Sequence, residues 1–303
     1  MATAFRALSS GQASMPLRTG LEMVADNATA LFMPVYLPGI GKVGVKTVTM
    51  ARNNPAKGLP LIHAMMMIFD SSTGVPLAVL DGEVITAMRT GAVSGLATSL
   101  LAKKDARTAA IIGTGTQGET QLEAVCNVRD IQKAYVFDIQ AARADAFAAK
   151  MTRRLNIEVV VAGSAATLQN ADVICTATSS NKPVFDDVYI KKGAHINGVG
   201  SYKPDMAEIS PETIARAKVV VDQIEACLAE AGDLIQPIQR GIITKNHIHG
   251  ELGELVTGKI SARETDDEIT VFKSVGLAVQ DLITADLVLK IAQEKDLGTS
   301  LTL

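Results

Sequence analysis

The chain has 303 residues, of which 48% are hydrophobic, 20% charged and 4% aromatic, and it carries a net charge of −3. That length implies about two domains, and the apolar fraction excludes a disordered chain. The slightly acidic balance, with Lys and Arg dispersed and no tryptophan, excludes the clustered basic footprint of a nucleic-acid or anionic-membrane binder.

Residues 1–8 lack the basic region and apolar core of a secretory signal and read as the tail of an amphipathic helix ending near Gly11. Arg18 follows in a short extended segment, Met15-Pro16-Leu17. Residues 41–50 predict a β-strand, with Val43, Val45, Thr47 and Thr49 on one face and Lys46 on the other. Residues 60–70 and Val75–Asp81 predict two more strands, joined as a hairpin through Ser71-Ser72-Thr73-Gly74. His63, inside the first of these, reads as an ordinary sheet residue. Val84–Lys103 has helical spacing and small residues (Gly91, Ala92, Ser94, Gly95, Ala97) that let another backbone come close. No apolar run reaches the roughly 18–20 residues of a membrane span. The run Lys150–Arg154 reads as a solvated helix end.

Near residue 107 apolar runs begin to alternate with helical stretches. The predicted strands are Ala109–Gly113, Ala134–Asp138, Ile157–Val161, Val173–Thr176, His195–Val199 and Val219–Asp222, most of them continuously apolar. This alternation predicts an α/β protein with a doubly wound parallel sheet. A last amphipathic helix is predicted from Ser274 to Glu294, with Val275, Leu277, Ala278, Leu282, Ala285, Leu289 and Ala292 on one face. Cys126, Cys175 and Cys227 are scattered, with no zinc spacing or disulfide framework, and predict buried thiols in a reducing cytoplasm. No metal site is predicted.

The strongest motif is Gly113-Thr114-Gly115-Thr116-Gln117-Gly118, directly after one apolar strand and at the mouth of a helix, Glu119–Asn127. Gly113 permits the tight turn, Gly115 lets the backbone approach a pyrophosphate, and Gly118 allows close helix–strand packing. The helix start offers free N–H groups to phosphate. Asp138 closes the next strand, where an acid accepts hydrogen bonds from ribose hydroxyls; it also fits a cap for the following helix. A carboxylate there repels a 2′-phosphate, and the nearest arginine is Arg143, so NAD(H) is favoured over NADP(H). Outside this unit, Arg18, Lys46 and Arg89 are the cations able to clamp a carboxylate and polarise an imine or carbonyl. Periodicity alone leaves each open between that role and a solvated strand or helix end.

In chain order, the runs Gly44-Val45-Lys46-Thr47-Val48, Asp81 to Gly95 with Met88-Arg89-Thr90-Gly91-Ala92 inside it, and Gly113–Gly118 are followed by Ala177-Thr178-Ser179-Ser180, Ile196–Met206 and Val271-Phe272-Lys273-Ser274-Val275-Gly276. Together they resemble the ornithine cyclodeaminase/mu-crystallin family over nearly the whole length. That resemblance implies a Rossmann domain at 105–273 and a discontinuous substrate and dimerisation domain from 1–104 with 274–303, the site lying in the cleft between them. It implies that Arg18 and Arg89 hold the substrate carboxylate and that Lys46 sits beside the reacting carbon or its nitrogen. Lys46 and Arg89 are thus the expected catalytic residues, with Ser201 also at the substrate. Thr90 and Gly115–Gln117 would contact the pyrophosphate, Asp138 the ribose, and Thr176, Ala177, Thr178 and Ser179 another flank of the cofactor. Val199 and Ser201 would lie near the nicotinamide, and Ser274 would close the pocket.

The chain departs from the family pattern in two places. Cyclodeaminases of this family carry an Asp in a Gly-Gly-Asp-Cys-Pro-Gly-Lys type of segment. In Gly200-Ser201-Tyr202-Lys203-Pro204-Asp205-Met206, Tyr202 stands in its place, Met206 replaces the Lys, and Asp205 is displaced by three positions. Ornithine cyclisation needs a base for its δ-ammonium. Its loss leaves hydride transfer to a C=N bond beside a carboxylate: reduction of 1-pyrroline-2-carboxylate or 1-piperideine-2-carboxylate to L-proline or L-pipecolate. Alanine dehydrogenase chemistry is a close variant; ornithine cyclodeaminase and a non-catalytic binding protein like mu-crystallin are the alternatives. Secondly, the family places a strand and most of a helix ahead of the position of Phe5, in the substrate domain and dimer interface; their absence here fits an alternative start, a fragment or a weakened dimer. The implied partners are a small amino or imino acid and a second copy of the chain, with no nucleic acid or membrane.

Overall fold

The structure, a computed structural model, describes residues 1–301, which form two compact units. The first is Met1–Arg89 with the chain from Leu277 onward; the second is Thr90–Gly276.

The first unit opens with helix α1 (Ala2–Ser9) and then a five-stranded antiparallel sheet in sequential order: β1 (Thr19–Met23), β2 (Ala28–Leu37), β3 (Lys42–Ala51), β4 (Ile62–Asp70) and β5 (Pro76–Asp81). The Asp70 carboxylate organises the β4–β5 turn by accepting from the amides and hydroxyls of Ser72 and Thr73. Helix α2 (Gly82–Leu101) starts directly after β5. The C-terminal helix, Ala278–Glu294, covers one sheet face, and α1 leans on that helix through buried Ala4 and Phe5. The covered face carries Met33, Val35 and Leu37 of β2, Gly44 and Lys46 of β3, and Met66 and Ile68 of β4. The opposite face exposes Phe32, Tyr36, Val43, Met65 and Val79.

Strands β1 and β2 were not anticipated from sequence. Pro34 interrupts β2, and a proline inside a strand ordinarily argues against it. It is tolerated because of its place: Phe32 lies opposite Thr19, Tyr36 bonds Ser14 in both directions, and Pro34 faces the gap between them. No ladder bond is lost there.

The second unit is an eight-stranded, wholly parallel sheet. Its strands are β6 (Thr108–Ile112), β7 (Lys133–Phe137), β8 (Glu158–Val161), β9 (Val173–Thr176), β10 (His195–Gly198), β11 (Lys218–Val221), β12 (Ile248–Glu251) and β13 (Thr270–Lys273), in spatial order β12-β11-β13-β10-β9-β6-β7-β8. Helices α3 (Thr116–Val128) and α4 (Ala141–Leu155) connect its first strands. The chain runs outward from β6 to β8 and returns to start again at β9, so β6 and β9 flank the point where strand order reverses, the usual ligand position in such sheets. The core beside β6, β7 and β9 is apolar, with Ile111, Leu122, Val125, Val136 and Cys175 buried. Strands β9, β10 and β13 are buried along their whole length, as both-faced burial requires.

Three sequence expectations need correction. The last helix starts at Ala278, not Ser274; Asp222 holds the Ser274 hydroxyl and the Val275 and Gly276 amides in a loop, so Val275 and Leu277 are not on a helical stripe. Helix α2, at 20 residues, is long and apolar enough by composition to cross a membrane. Its small residues instead serve interior packing: a Cβ on Gly91 would lie 2.5 Å from the Thr120 carbonyl oxygen of α3. Cys175 and Cys227 are fully buried, but Cys126 is only partly so.

Candidate active site

The cationic cluster of the first unit grows out of strand β3. Sequence alternation puts Lys46 opposite Val43 and Val45, and the structure makes the lysine face the covered one: Lys46 is 2% exposed while Val43 is 36% exposed. Its cross-strand neighbours are Met33 and Met66, both buried, so the ammonium stands in an apolar row. A charge in such a place needs a partner. It has one in Asp281 of the C-terminal helix, whose Oδ2 is 2.7 Å from Lys46 Nζ, and Lys46 also donates to Thr86 Oγ1 at 3.2 Å. Asp281 Oδ1 accepts from Arg89 Nε at 3.0 Å, and Gln280 Oε1 accepts from Arg89 Nη1 at 3.0 Å. Arg18 is near enough for its charge to act on Lys46. Burial pulls the Lys46 pKa down to about 8; Asp281 opposes the fall, and Arg89 and Arg18 add to it. Arg18, Lys46 and Arg89 are therefore brought together. The solvated-end reading fails for the last two, which are buried.

Asp281 and Gln280 escaped the sequence reading. A signal existed: Asp281 follows Ala278 by three positions and precedes Ala285 by four, so a carboxylate interrupts the apolar stripe of its helix. His63 lies on the other sheet face, 3.7 Å from Glu83 and away from Lys46.

The glycine turn of the second unit lies between β6 and α3. Gly113 has φ +97°, and a Cβ there would lie 2.6 Å from the Ala177 carbonyl oxygen, so this turn abuts the loop after β9. A Cβ on Gly118 would strike the Gly113 carbonyl. At Gly115 a Cβ would meet nothing within 4 Å. Gly115 and Thr116 are exposed at the start of α3, whose N-cap has no side-chain partner. Open space above a glycine, beside uncapped helix amides, fits a pyrophosphate. Gln117 has a buried side-chain oxygen without a hydrogen-bond partner in this turn. Thr90, next to Arg89 in α2, is buried.

Asp138 is tied to the glycine turn. Its Oδ2 accepts from the Thr114 amide at 3.0 Å and hydroxyl at 2.6 Å, and its Oδ1 accepts from the Gln140 amide at 2.9 Å, at the start of α4. The carboxylate thus ties the glycine turn to the segment before α4, whose N-cap is Gln140 without a side-chain bond, so Asp138 does not cap that helix. Burial pushes its pKa up, but the bonds from Thr114 and Gln140 and the Arg143 charge bring the net shift below the ordinary value.

The loops after β9 and β10 meet on a residue that sequence reasoning missed. Glu208 is fully buried, and its carboxylate accepts from the Thr176 hydroxyl, the Thr178 amide and hydroxyl, and the Gly200 and Ser201 amides. Asp233 accepts from the Glu208 and Ile209 amides and pairs with Lys273 at 3.0 Å. Burial raises the Glu208 pKa, with Lys273 working against the rise and Asp233 for it. Ala177 and Val199 are partly buried and Ser179 is exposed. The Ser201 hydroxyl donates to the Met206 carbonyl and the Ser274 hydroxyl to Asp222. Tyr202 is partly buried and Asp205 exposed, so the two do not share an environment. His195 is fully buried between Thr270 and Asn197, and burial lowers its pKa to about 3, which keeps it neutral. Among the described residues no group of three or more His, Cys, Asp or Glu is placed to hold a metal.

A family model described as the ornithine cyclodeaminase/mu-crystallin family matches residues 1–296. The chain is 42% identical over 299 residues to Delta(1)-pyrroline-2-carboxylate reductase of Bacillus cereus, covering 98% of this chain and 92% of that protein. It is similar to the solved Thermococcus litoralis Delta(1)-pyrroline-2-carboxylate reductase in complex with NADH and L-proline, with a TM-score of 0.95, 45% identity and coverage of 99% and 93%. An archaeal alanine dehydrogenase dimer with bound NAD gives a TM-score of 0.93 at 34% identity, covering 100% of this chain and 92% of that one.

Proposed function

Because the chain belongs to the ornithine cyclodeaminase/mu-crystallin family, we propose that it is an NAD(H)-dependent reductase of small cyclic imino acids, forming L-proline from 1-pyrroline-2-carboxylate or L-pipecolate from 1-piperideine-2-carboxylate. The observation that carries this reading is the Lys46–Asp281–Arg89 cluster: a buried ammonium and a buried guanidinium held by one carboxylate. Arg89 and Arg18 bind the substrate carboxylate, as bidentate guanidinium chemistry favours. Lys46 donates a hydrogen bond to the imine nitrogen, draws electron density from C2 and delivers the proton that nitrogen gains. With a pKa of about 8 the lysine is charged at neutral pH yet parts readily with its proton.

The glycine turn, Thr90, Asp138 and the Thr176–Ser179 loop hold the dinucleotide, whose reduced nicotinamide supplies the hydride when bound. A carboxylate at Asp138 supports NAD(H) over NADP(H). Tyr202 in place of a cyclodeaminase Asp supports reduction over ornithine cyclisation. The apolar outer sheet face, with Phe32, Tyr36, Val43, Met65 and Val79 exposed, suits a second copy of the chain, in line with the alanine dehydrogenase dimer. Three free cysteines suit a reducing cytoplasm.

The test is NADH oxidation with 1-pyrroline-2-carboxylate, 1-piperideine-2-carboxylate, and pyruvate plus ammonia, beside L-ornithine with NAD⁺. Turnover of a cyclic imine is expected. Proline and ammonia from ornithine without net NADH, or no turnover at all, would overturn the reading.

A further inference from the structure

We propose that Asp281 is a positioning residue of this site, acting on the substrate only through Lys46 and Arg89. The inference rests on the reductase reading for its consequence in turnover, and on geometry alone for its physical content.

The C-terminal helix packs over a glycine beside Lys46. On β3, Gly44 shares the covered face with Lys46, two residues away, and a Cβ there would lie 2.9 Å from Leu282 Cδ1 and 2.6 Å from Met66 Cε. Those two methyl ends lie where the Cβ would stand, so the Leu282 side chain packs down onto the strand at Gly44, and Asp281, the neighbour of Leu282, faces the lysine. Its two oxygens divide between the cations: Oδ2 faces Lys46 Nζ at 2.7 Å and Oδ1 faces Arg89 Nε at 3.0 Å. The carboxylate is fully buried, so water cannot take its place cheaply.

Two consequences follow. An ammonium donates in three directions. Asp281 and Thr86 occupy two, which fixes the direction of the third. A rotating lysine would spread its donation over many poses; a tethered one offers a single N–H to an imine nitrogen. The second consequence is electrostatic. The charged groups around Lys46 are Asp281 from the C-terminal helix, Arg89 from α2 and Arg18 from the segment before β1. Two of these three are cations and disfavour the ammonium, as burial does, while Asp281 sustains it. Gln280, beside Asp281, adds a second anchor to Arg89 and leaves Lys46 untouched.

The experiment compares wild type, Asp281→Asn, Asp281→Glu and Gln280→Ala. Lysine side-chain NMR titration, with the Lys46 resonance assigned by Lys46→Met, reads the ionisation without reference to turnover. In Asp281→Asn the Lys46 midpoint is expected to fall by about one pH unit or more. The alkaline limb of the kcat/KM profile should move by the same amount, so that at pH 9 the variant loses roughly a further tenfold relative to wild type. Asp281→Glu restores most of the shift, and Gln280→Ala leaves the midpoint in place. An unchanged Lys46 midpoint in Asp281→Asn, whatever its thermal stability, refutes the proposal. If the wild type reduces no imine, the reductase reading fails, and the NMR titration still decides on Asp281.

Discussion

Thr114 donates both its amide and its hydroxyl to one oxygen of Asp138, at 3.0 and 2.6 Å. The middle residue of the glycine turn thus fixes the acid proposed to choose the cofactor. Asp138→Ser removes the carboxylate that opposes a 2′-phosphate while keeping a short polar side chain. The ratio of kcat/KM for NADH over NADPH is expected to fall by roughly ten- to a hundredfold, one to two tenfold steps of about 1.4 kcal/mol each. Steady-state kinetics with both cofactors checks it; an unchanged ratio would remove Asp138 as the discriminator. Thr114→Ala should shift the ratio less, because the carboxylate stays and only its tether is lost.

Glu208 accepts from five donors, one at the end of β9 and four on the loops after β9 and β10. Glu208→Gln keeps the shape, but one oxygen becomes an NH2 facing N–H donors. Each buried donor left unmatched costs about 1–3 kcal/mol. The KM for NADH is expected to rise at least about tenfold, with a lower Tm, since one of these loops follows β9, a strand flanking the point where strand order reverses, and the other follows its neighbour β10. A variant that loses only Tm, with NADH binding intact by fluorescence titration, would confine Glu208 to a structural role.

How much of this was legible in the sequence varies with what each residue's neighbours are. The strand, glycine turn, helix and Asp138 were readable because they are contiguous and each residue type has a local steric or electrostatic reason. Strands β12 and β13 were not, because neither is a continuous apolar run: β12 carries His249, Gly250 and Glu251, and β13 a fully buried lysine, Lys273, whose partner Asp233 is forty positions away. Lys46 was visible as a lysine in a valine strand, yet which strand face is covered depends on a helix more than 230 residues further along the chain. The same separation hid Asp281. Glu208 was hidden differently: its five donors come from the end of β9 and the loops after β9 and β10, and all five are backbone amides or short hydroxyls that carry no charge signal.

Two glycines in the interior of α2, Gly91 and Gly95, make a graded pair. A Cβ on Gly91 would lie 2.5 Å from the Thr120 carbonyl oxygen, whereas on Gly95 the nearest atom would be Ala124 Cβ at 3.3 Å. Replacing a helix-interior glycine by alanine gains about 0.5–1 kcal/mol in backbone propensity. Forcing an atom into backbone costs about 1–3 kcal/mol. Gly91→Ala is therefore expected to lower stability by about 1–2 kcal/mol, and Gly95→Ala to stay within about 0.5 kcal/mol of wild type, by denaturant titration. Equal effects would mean that α2 and α3 shift apart freely.

The outer sheet face sets up a test of assembly. Met65 is 53% and Val79 63% exposed in the isolated chain, so Met65→Glu with Val79→Lys should leave the folded protomer intact. If this face meets a second copy, burying the two new charges there is unfavourable. Sedimentation should show a dimer for wild type and a monomer for the double variant, with the same far-ultraviolet dichroism. A variant that remains dimeric would place the interface elsewhere.

Lys46 connects burial, pH and turnover in one residue. Its folded pKa is about 8, lowered chiefly by burial, against 10.5 ordinarily. If the ammonium is the acid, kcat/KM for imine reduction falls on an alkaline limb centred near pH 8, and Lys46→Met lowers turnover by about 10²–10⁴-fold while NADH binding is kept. Stability carries the opposite sign. Between the folded value of about 8 and the unfolded value of 10.5, the unfolded chain binds the proton that the folded one has released. Stability from this group therefore rises with pH across that window, and below it the folded state bears the full cost of a buried charge. Urea unfolding at pH 8 and pH 10 should show a stability gain in wild type that is smaller in Lys46→Met, even though activity is falling over the same interval. Parallel changes in both proteins would show that Lys46 does not titrate in the fold, and would remove it as the proton donor.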